Sequence, residues 1–74
     1  MAFPNPDRVY RRLAEDKRLS ESRRIAALNK VARPSLSMLR RLLHPSAPAR
    51  LRFRATELYE LAMARRELLQ GGND

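Results

Sequence analysis

Apolar residues recur along this chain at helical spacing. No segment alternates apolar and polar positions as a half-buried strand does, and no Asn-Gly or Asp-Gly pair marks a hairpin. Proline and serine divide the pattern into four segments. They predict helices over about 6–18, 20–32, 35–43 and 47–70, with 71–74 a frayed tail. In the first helix Asn5 is the expected N-cap, Pro6 the first helical residue and Asp7 a first-turn carboxylate suited to the dipole. Its apolar stripe is thin: Val9 and Leu13, with Tyr10 at the margin and Phe3 folding back as a plug. Ser20 caps the second helix, which turns Ile25, Leu28 and Ala32 inward with Val31 beside them. After the Pro34-Ser35 break the third helix buries Leu36, Leu39 and Leu43, with Leu42 adjacent. Ser46 or Ala47 caps the fourth, and Gly71-Gly72 ends it. The core stripe of that helix is Leu51, Ala55, Leu58, Ala62 and Leu69, with Leu61 and Leu68 alongside and Arg65 interrupting it. The expected fold class is therefore all-α, a single small four-helix domain.

Charge changes this picture from a generic bundle to a polarised one. Between Ser22 and Thr56 lie nine basic side chains and no acidic one: Arg23, Arg24, Lys30, Arg33, Arg40, Arg41, Arg50, Arg52 and Arg54. Outside that window seven basic residues face eight acidic ones, so the net charge of +8 sits in the middle of the chain. Fourteen of the sixteen cations are arginine, whose planar fork matches phosphate and stacks on bases. Codon bias explains arginine in place of lysine but not the missing acids. On the second helix Arg23, Ala26, Lys30 and Arg33 form one stripe, and Arg50, Arg52 and Arg54 open the fourth helix against its dipole. The pattern implies a surface for a polyanion, with nucleic acid the leading partner. Phe53, between two arginines, is the one candidate for stacking on a base.

Other classes of function lack their residues. Without cysteine there is no disulfide framework and no thiolate metal site. His44, the single histidine, is far in sequence from the nearest acids, Glu21 and Glu57, so no metal or other cofactor is expected. Its default role is to meet the carbonyl ends of the third helix, with a phosphate contact as the alternative. Glu57 with Glu60, and Glu15 with Asp16, read as solvated helix flanks. The serines at helix starts read as caps, and no glycine-rich phosphate loop exists. The chain is thus expected not to be an enzyme. No apolar run approaches the ~20 residues of a membrane span. The start carries no basic region followed by an apolar stretch, so a cytoplasmic protein is expected.

The second and fourth segments echo each other at an offset of thirty residues: Arg24, Leu28, Val31 and Ala32 fall on Arg54, Leu58, Leu61 and Ala62. The stretch from Leu39 to Ala62, LRRLLHPSAPARLRFRATELYELA, resembles the short HEAT-like repeat of bilin-lyase-type proteins. Leu42-Leu43 matches the leucine pair that closes the first helix of that repeat, and Pro45 the loop proline. Leu51-Arg52, Ala55 and Leu58 match the opening of its second helix, while His44 stands near the place of its aspartate. The resemblance implies HEAT-like helix stacking and a binding scaffold, with an acidic protein partner or a second copy of the chain as alternatives to nucleic acid. Over residues 32–42, Ala32-Arg33-Pro34-Ser35-Leu36-Ser37-Met38-Leu39-Arg40-Arg41-Leu42 is similar to the turn and recognition helix of helix-turn-helix DNA binders. That similarity implies Ser35, Ser37, Met38 and Arg41 facing bases, with Arg33 and Arg40 on phosphates.

Overall fold

The structure, a computed structural model, describes residues 6–71. The Asn5 cap, the Phe3 plug and the tail beyond Gly71 lie outside them. Four helices follow one another: α1 (Pro6–Glu15), α2 (Glu21–Lys30), α3 (Leu36–Leu42) and α4 (Ala49–Gly71). Each boundary has a local cause.

α1 stops at Glu15, short of the expected 18, because Asp16 turns the chain. Its carboxylate accepts the Arg18 N–H at 2.9 Å and two nitrogens of the Arg18 guanidinium at 3.1 Å each. Ser20 then caps α2, its hydroxyl accepting the Arg23 N–H at 3.3 Å. α2 ends at Lys30 because Val31 turns extended. The next two amides, Ala32 and Arg33, donate to the Asp7 carboxylate at 3.0 and 3.2 Å instead of continuing a helix. Arg11 completes the stitch by donating to the Arg33 carbonyl.

Ser35 caps α3 through the Met38 N–H at 3.1 Å. The cap of α4 is not Ser46 or Ala47. The Pro48 carbonyl accepts the Arg52 N–H at 2.9 Å, and the Ser46 hydroxyl is taken by the His44 ring at 2.8 Å. Pro48 has no amide to leave orphaned before the helix, which suits it to that entry.

α1 packs on α2, α3 on α4, and α2 on α4. The core between them is Ala14, Ala27, Leu28, Val31, Met38, Leu39, Leu42, Leu51 and Ala55. Several inward faces are rotated from their expected positions. In α1, Val9 and Leu13 are exposed, while Ala14 is buried and Tyr10 packs against the core. Beyond the end of α2, Ala32 is exposed and Ala27 within the helix is buried instead, and in α3 Met38 is buried ahead of Leu36 and of the capping Leu43, which are only half-buried. The domain measures 46 × 40 × 15 Å. Fifteen ångströms admits little more than two helices packed 8–10 Å apart, so most side chains have a solvent side. The thirty-residue echo does not extend to surroundings: Val31 is 7% exposed, and its counterpart Leu61 is 61% exposed. The second half of α4 runs beyond the core, with Leu61, Leu68 and Leu69 open to solvent.

Candidate nucleic-acid interface

The nine cations of the acid-free window have different fates. Arg24 is a correction to the sequence reading. It is 6% exposed, and its Nε donates to the Ala14 carbonyl at 2.9 Å. Ala14 lies in the last turn of α1, where carbonyls have no helical partner and a positive charge suits the dipole. Arg24 therefore braces α2 against the end of α1, and it also lines the floor of one of the hollows described below.

Arg54 lies half-buried between α4 and α2, its Nε donating to Asn29 at 2.7 Å and one terminal nitrogen reaching Glu57 at 3.4 Å. Arg50 sits beside Glu21, whose carboxylate accepts the Arg50 backbone N–H at 3.0 Å. Glu21 thus brings the negative charge that the start of α4 lacks in its own sequence, against the three arginines there. Arg52 is half-buried, and its Nε has no hydrogen-bond partner among the described residues. Arg23 and Lys30 flank a small apolar hollow with Tyr10, Leu13, Leu19 and Ala26, and Lys30 lies 5.5 Å above the Tyr10 ring. Part of the basic stripe on α2 is thus laid against α1.

Three of the nine, Arg33, Arg40 and Arg41, join cations that the window left out. A hollow of about 540 Å³ is lined by Asp7, Arg8, Arg11, Arg12, Glu15 and Arg33. A second, of about 970 Å³, brings Glu15, Lys17, Arg40, Arg41 and His44 together over the buried Arg24. Glu15 borders both, so the two hollows meet there. Leaving Arg24 aside, seven cations and two carboxylates surround them. Arg8, Arg11 and Arg12 follow the i, i+3, i+4 rule of one helix face, which was readable in the sequence. They were missed because Asp7, Glu15 and Asp16 lie among them.

The two carboxylates are both engaged. Glu15 pairs with Arg41 at 2.5 Å and ties α3 to α1. The bond to Glu15, then its charge, makes the Arg41 guanidinium hold its proton more tightly. Asp7 is spent on the backbone of the 32–33 turn, and its carboxyl is held below the ordinary value of 3.8, first by the Ala32 N–H. What is left pointing outward is mostly guanidinium: Arg8, Arg12, Arg33 and Arg40 are exposed.

At the mouth of the second hollow His44 Nδ1 accepts the Ser46 N–H at 3.1 Å. An accepting Nδ1 puts the proton of the neutral ring on Nε2, so that edge is a donor. The His44 ring bonds its own loop through Nδ1, while its backbone N–H donates to the Arg41 carbonyl at the end of α3 at 3.4 Å. Met38 is 1% exposed and cannot face a base, so the base-reading set drawn from residues 32–42 loses a member. The reason is the length of α3: seven residues must bury Met38, Leu39 and Leu42 to hold it on α4. Phe53 is 69% exposed, which keeps its ring available. Among the described residues no group of three or more His, Cys, Asp or Glu side chains could hold a metal, and no helix is long and apolar enough to cross a membrane.

No family model matches this chain, and no characterised protein or solved structure is significantly similar to it.

Proposed function

We propose that this domain binds nucleic acid without chemistry, through the cationic band that runs from α1 across Glu15 to α3. One observation carries the reading. Seven cationic side chains from three separate stretches of sequence gather around two adjoining hollows whose two carboxylates are already engaged. A row of guanidinium groups with little internal neutralisation suits an extended run of phosphates better than a single small anion. Both hollows are open to solvent and the first is lined by charged side chains alone, where small-molecule sites are mostly apolar and enclosed. Backbone phosphates give affinity without sequence information, so binding is expected to tolerate many sequences. The stacking of α1 on α2, α2 on α4 and α3 on α4 supports a HEAT-like reading of the scaffold, in which paired helices present one long face.

The test is a salt titration of the intact chain against random-sequence duplex DNA, single-stranded RNA and polyglutamate. If about five phosphates are engaged, log affinity falls against log salt with a slope near −4 to −5 on duplex DNA. Arg8→Gln/Arg12→Gln and Arg40→Gln/Arg41→Gln should each flatten that slope by roughly 1 to 2, while Arg23→Gln and Lys30→Gln on the opposite hollow should change it little. Affinity that ignores ionic strength, or that fails to fall with the α1 and α3 variants, would exclude this interface. Preference for polyglutamate over both nucleic acids would instead identify an adaptor for acidic proteins.

A further inference from the structure

The two hollows of the cationic band differ in chemistry. The first, of about 540 Å³, is lined by charged side chains alone. The second, of about 970 Å³, carries an apolar wall among its cations, built from Leu42, Ala47 and Pro48. Leu42 belongs to the core, so the accessible part of the wall is half-buried Ala47 and Pro48. Phosphates gain nothing from such a surface, whereas a flat apolar group is stabilised by covering it. The wall is also held in place. The Ala47 N–H donates to the His44 carbonyl at 2.9 Å, the Ser46 N–H donates to His44 Nδ1 at 3.1 Å, and the Ser46 hydroxyl meets the same nitrogen at 2.8 Å. Pro45 and Pro48 fix φ on either side of these residues. The bonds use the Nδ1 edge of the His44 imidazole, and the side chain itself is exposed at the mouth of the hollow. Across from it Glu15 grips Arg41 by two bonds, to Nε and to a terminal nitrogen. Both lie in the plane of the guanidinium, so the faces of that plane stay open. Imidazole rings and guanidinium planes are surfaces on which unpaired bases stack.

We infer that the second hollow seats an unpaired base, so that the ligand of the band is single-stranded nucleic acid. The inference rests on the phosphate-binding reading above and adds what those phosphates carry. A strand laid along the band gives its phosphates to Arg8, Arg12 and Arg33 at the first hollow. It turns one base into the second, against Ala47 and Pro48 and within reach of the His44 ring. In the neutral ring Nε2–H is a donor, and every base carries a ring-nitrogen or carbonyl acceptor, so the seat is tolerant of sequence. A duplex keeps its bases paired and stacked inside, and turning one out costs free energy that a single strand does not spend. It would leave the apolar wall uncovered. Phe53, exposed between Arg52 and Arg54, lines neither hollow and is the competing platform for a base.

The experiment is fluorescence anisotropy of the full chain with one mixed sequence presented as single-stranded DNA, single-stranded RNA, duplex DNA and an abasic strand of equal length, all at one salt concentration. Both single strands should bind about 5- to 100-fold tighter than the duplex, although the duplex has the denser charge. The abasic strand keeps every phosphate and should lose that advantage while its affinity still falls with salt. His44→Ala should weaken single-strand binding by at least about fivefold and leave duplex binding within about twofold. His44→Phe, which keeps a ring, should recover most of the loss, and Phe53→Ala should change little. The inference is overturned by an abasic strand that binds as tightly as one with bases, or by a duplex that matches the single strands. It is overturned too if His44→Ala lowers single-strand and duplex affinity alike, or if Phe53→Ala removes the advantage and His44→Ala does not. An advantage confined to RNA would point to its 2′-hydroxyl and not to a base, with the same consequence. In all these outcomes a steep salt dependence leaves the phosphate-binding reading standing. Failure to bind any of the four ligands overturns both.

Discussion

Replacing Arg24 separates an arginine that holds the fold together from those that meet a ligand. In Arg24→Met most of the apolar stem is kept and the guanidinium is removed. The 2.9 Å bond from Nε to the Ala14 carbonyl is lost, and that carbonyl stays in an interface the side chain had closed. A hydrogen bond from a charged donor contributes about 1.5–3 kcal/mol, and an acceptor left buried without a partner falls in the same range. The burial cost of the guanidinium itself is recovered on removal, so about 1.5–2.5 kcal/mol is the expected loss. At roughly 0.05–0.15 kcal/mol per residue a domain of this size has a stability of about 4–11 kcal/mol. The substitution therefore removes a sizeable share, equivalent to a fall of about 6–20 °C in Tm. Arg24→Ala should lose about 2 kcal/mol more, because the packed stem goes too. Urea titration followed by far-ultraviolet circular dichroism reads both, with the m-value unchanged. The acceptor is a neutral carbonyl, so the loss should persist in 0.5 M salt. Nucleic-acid affinity, measured where the variant is folded, should stay within about twofold of the parent. A loss under about 0.5 kcal/mol for Arg24→Met, or a clear drop in affinity, would refute the assignment of this residue to the α1–α2 joint.

Three further outcomes follow from the same geometry. The Asp7 carboxyl is held below its ordinary value by the Ala32 and Arg33 amides, so its contribution to stability is fully present above about pH 4 and is lost as pH falls through the lowered folded value. The stability gap between the parent and Asp7→Ala should therefore be constant from pH 5 to 7 and narrow as pH falls below 4; a gap that stays constant down to acid unfolding would contradict this. Ser35→Ala removes the acceptor for the Met38 N–H and should lower stability by about 1 kcal/mol in urea titration, a large effect for a helix of seven residues. Leu69→Ser, in the outer half of α4, should leave stability within about 0.5 kcal/mol of the parent in urea titration.

Helical spacing, the two serine caps and the proline breaks were sufficient to place four helices, because these signals act within a few residues of one another. The ends of α1 and α2 were not legible in that way. Asp16 folding back on Arg18 is local, but the Asp7 carboxylate that takes the Ala32 and Arg33 amides comes from twenty-five residues away. Glu21 at the start of α4 is the same kind of event, a charge delivered by another helix. The sequence alone determined that this protein is helical and rich in arginine. Which arginines stand together was a tertiary outcome. Packing α1 on α2 sank Arg24 beneath the end of α1, and the same packing brought Arg8, Arg11 and Arg12 beside Arg33, with Arg41 reaching across to Glu15. A window along the chain registers which charges are neighbours in order. Their sharing of a face depends on how each helix is rotated to bury its few apolar residues, and that rotation is settled only when all four helices meet.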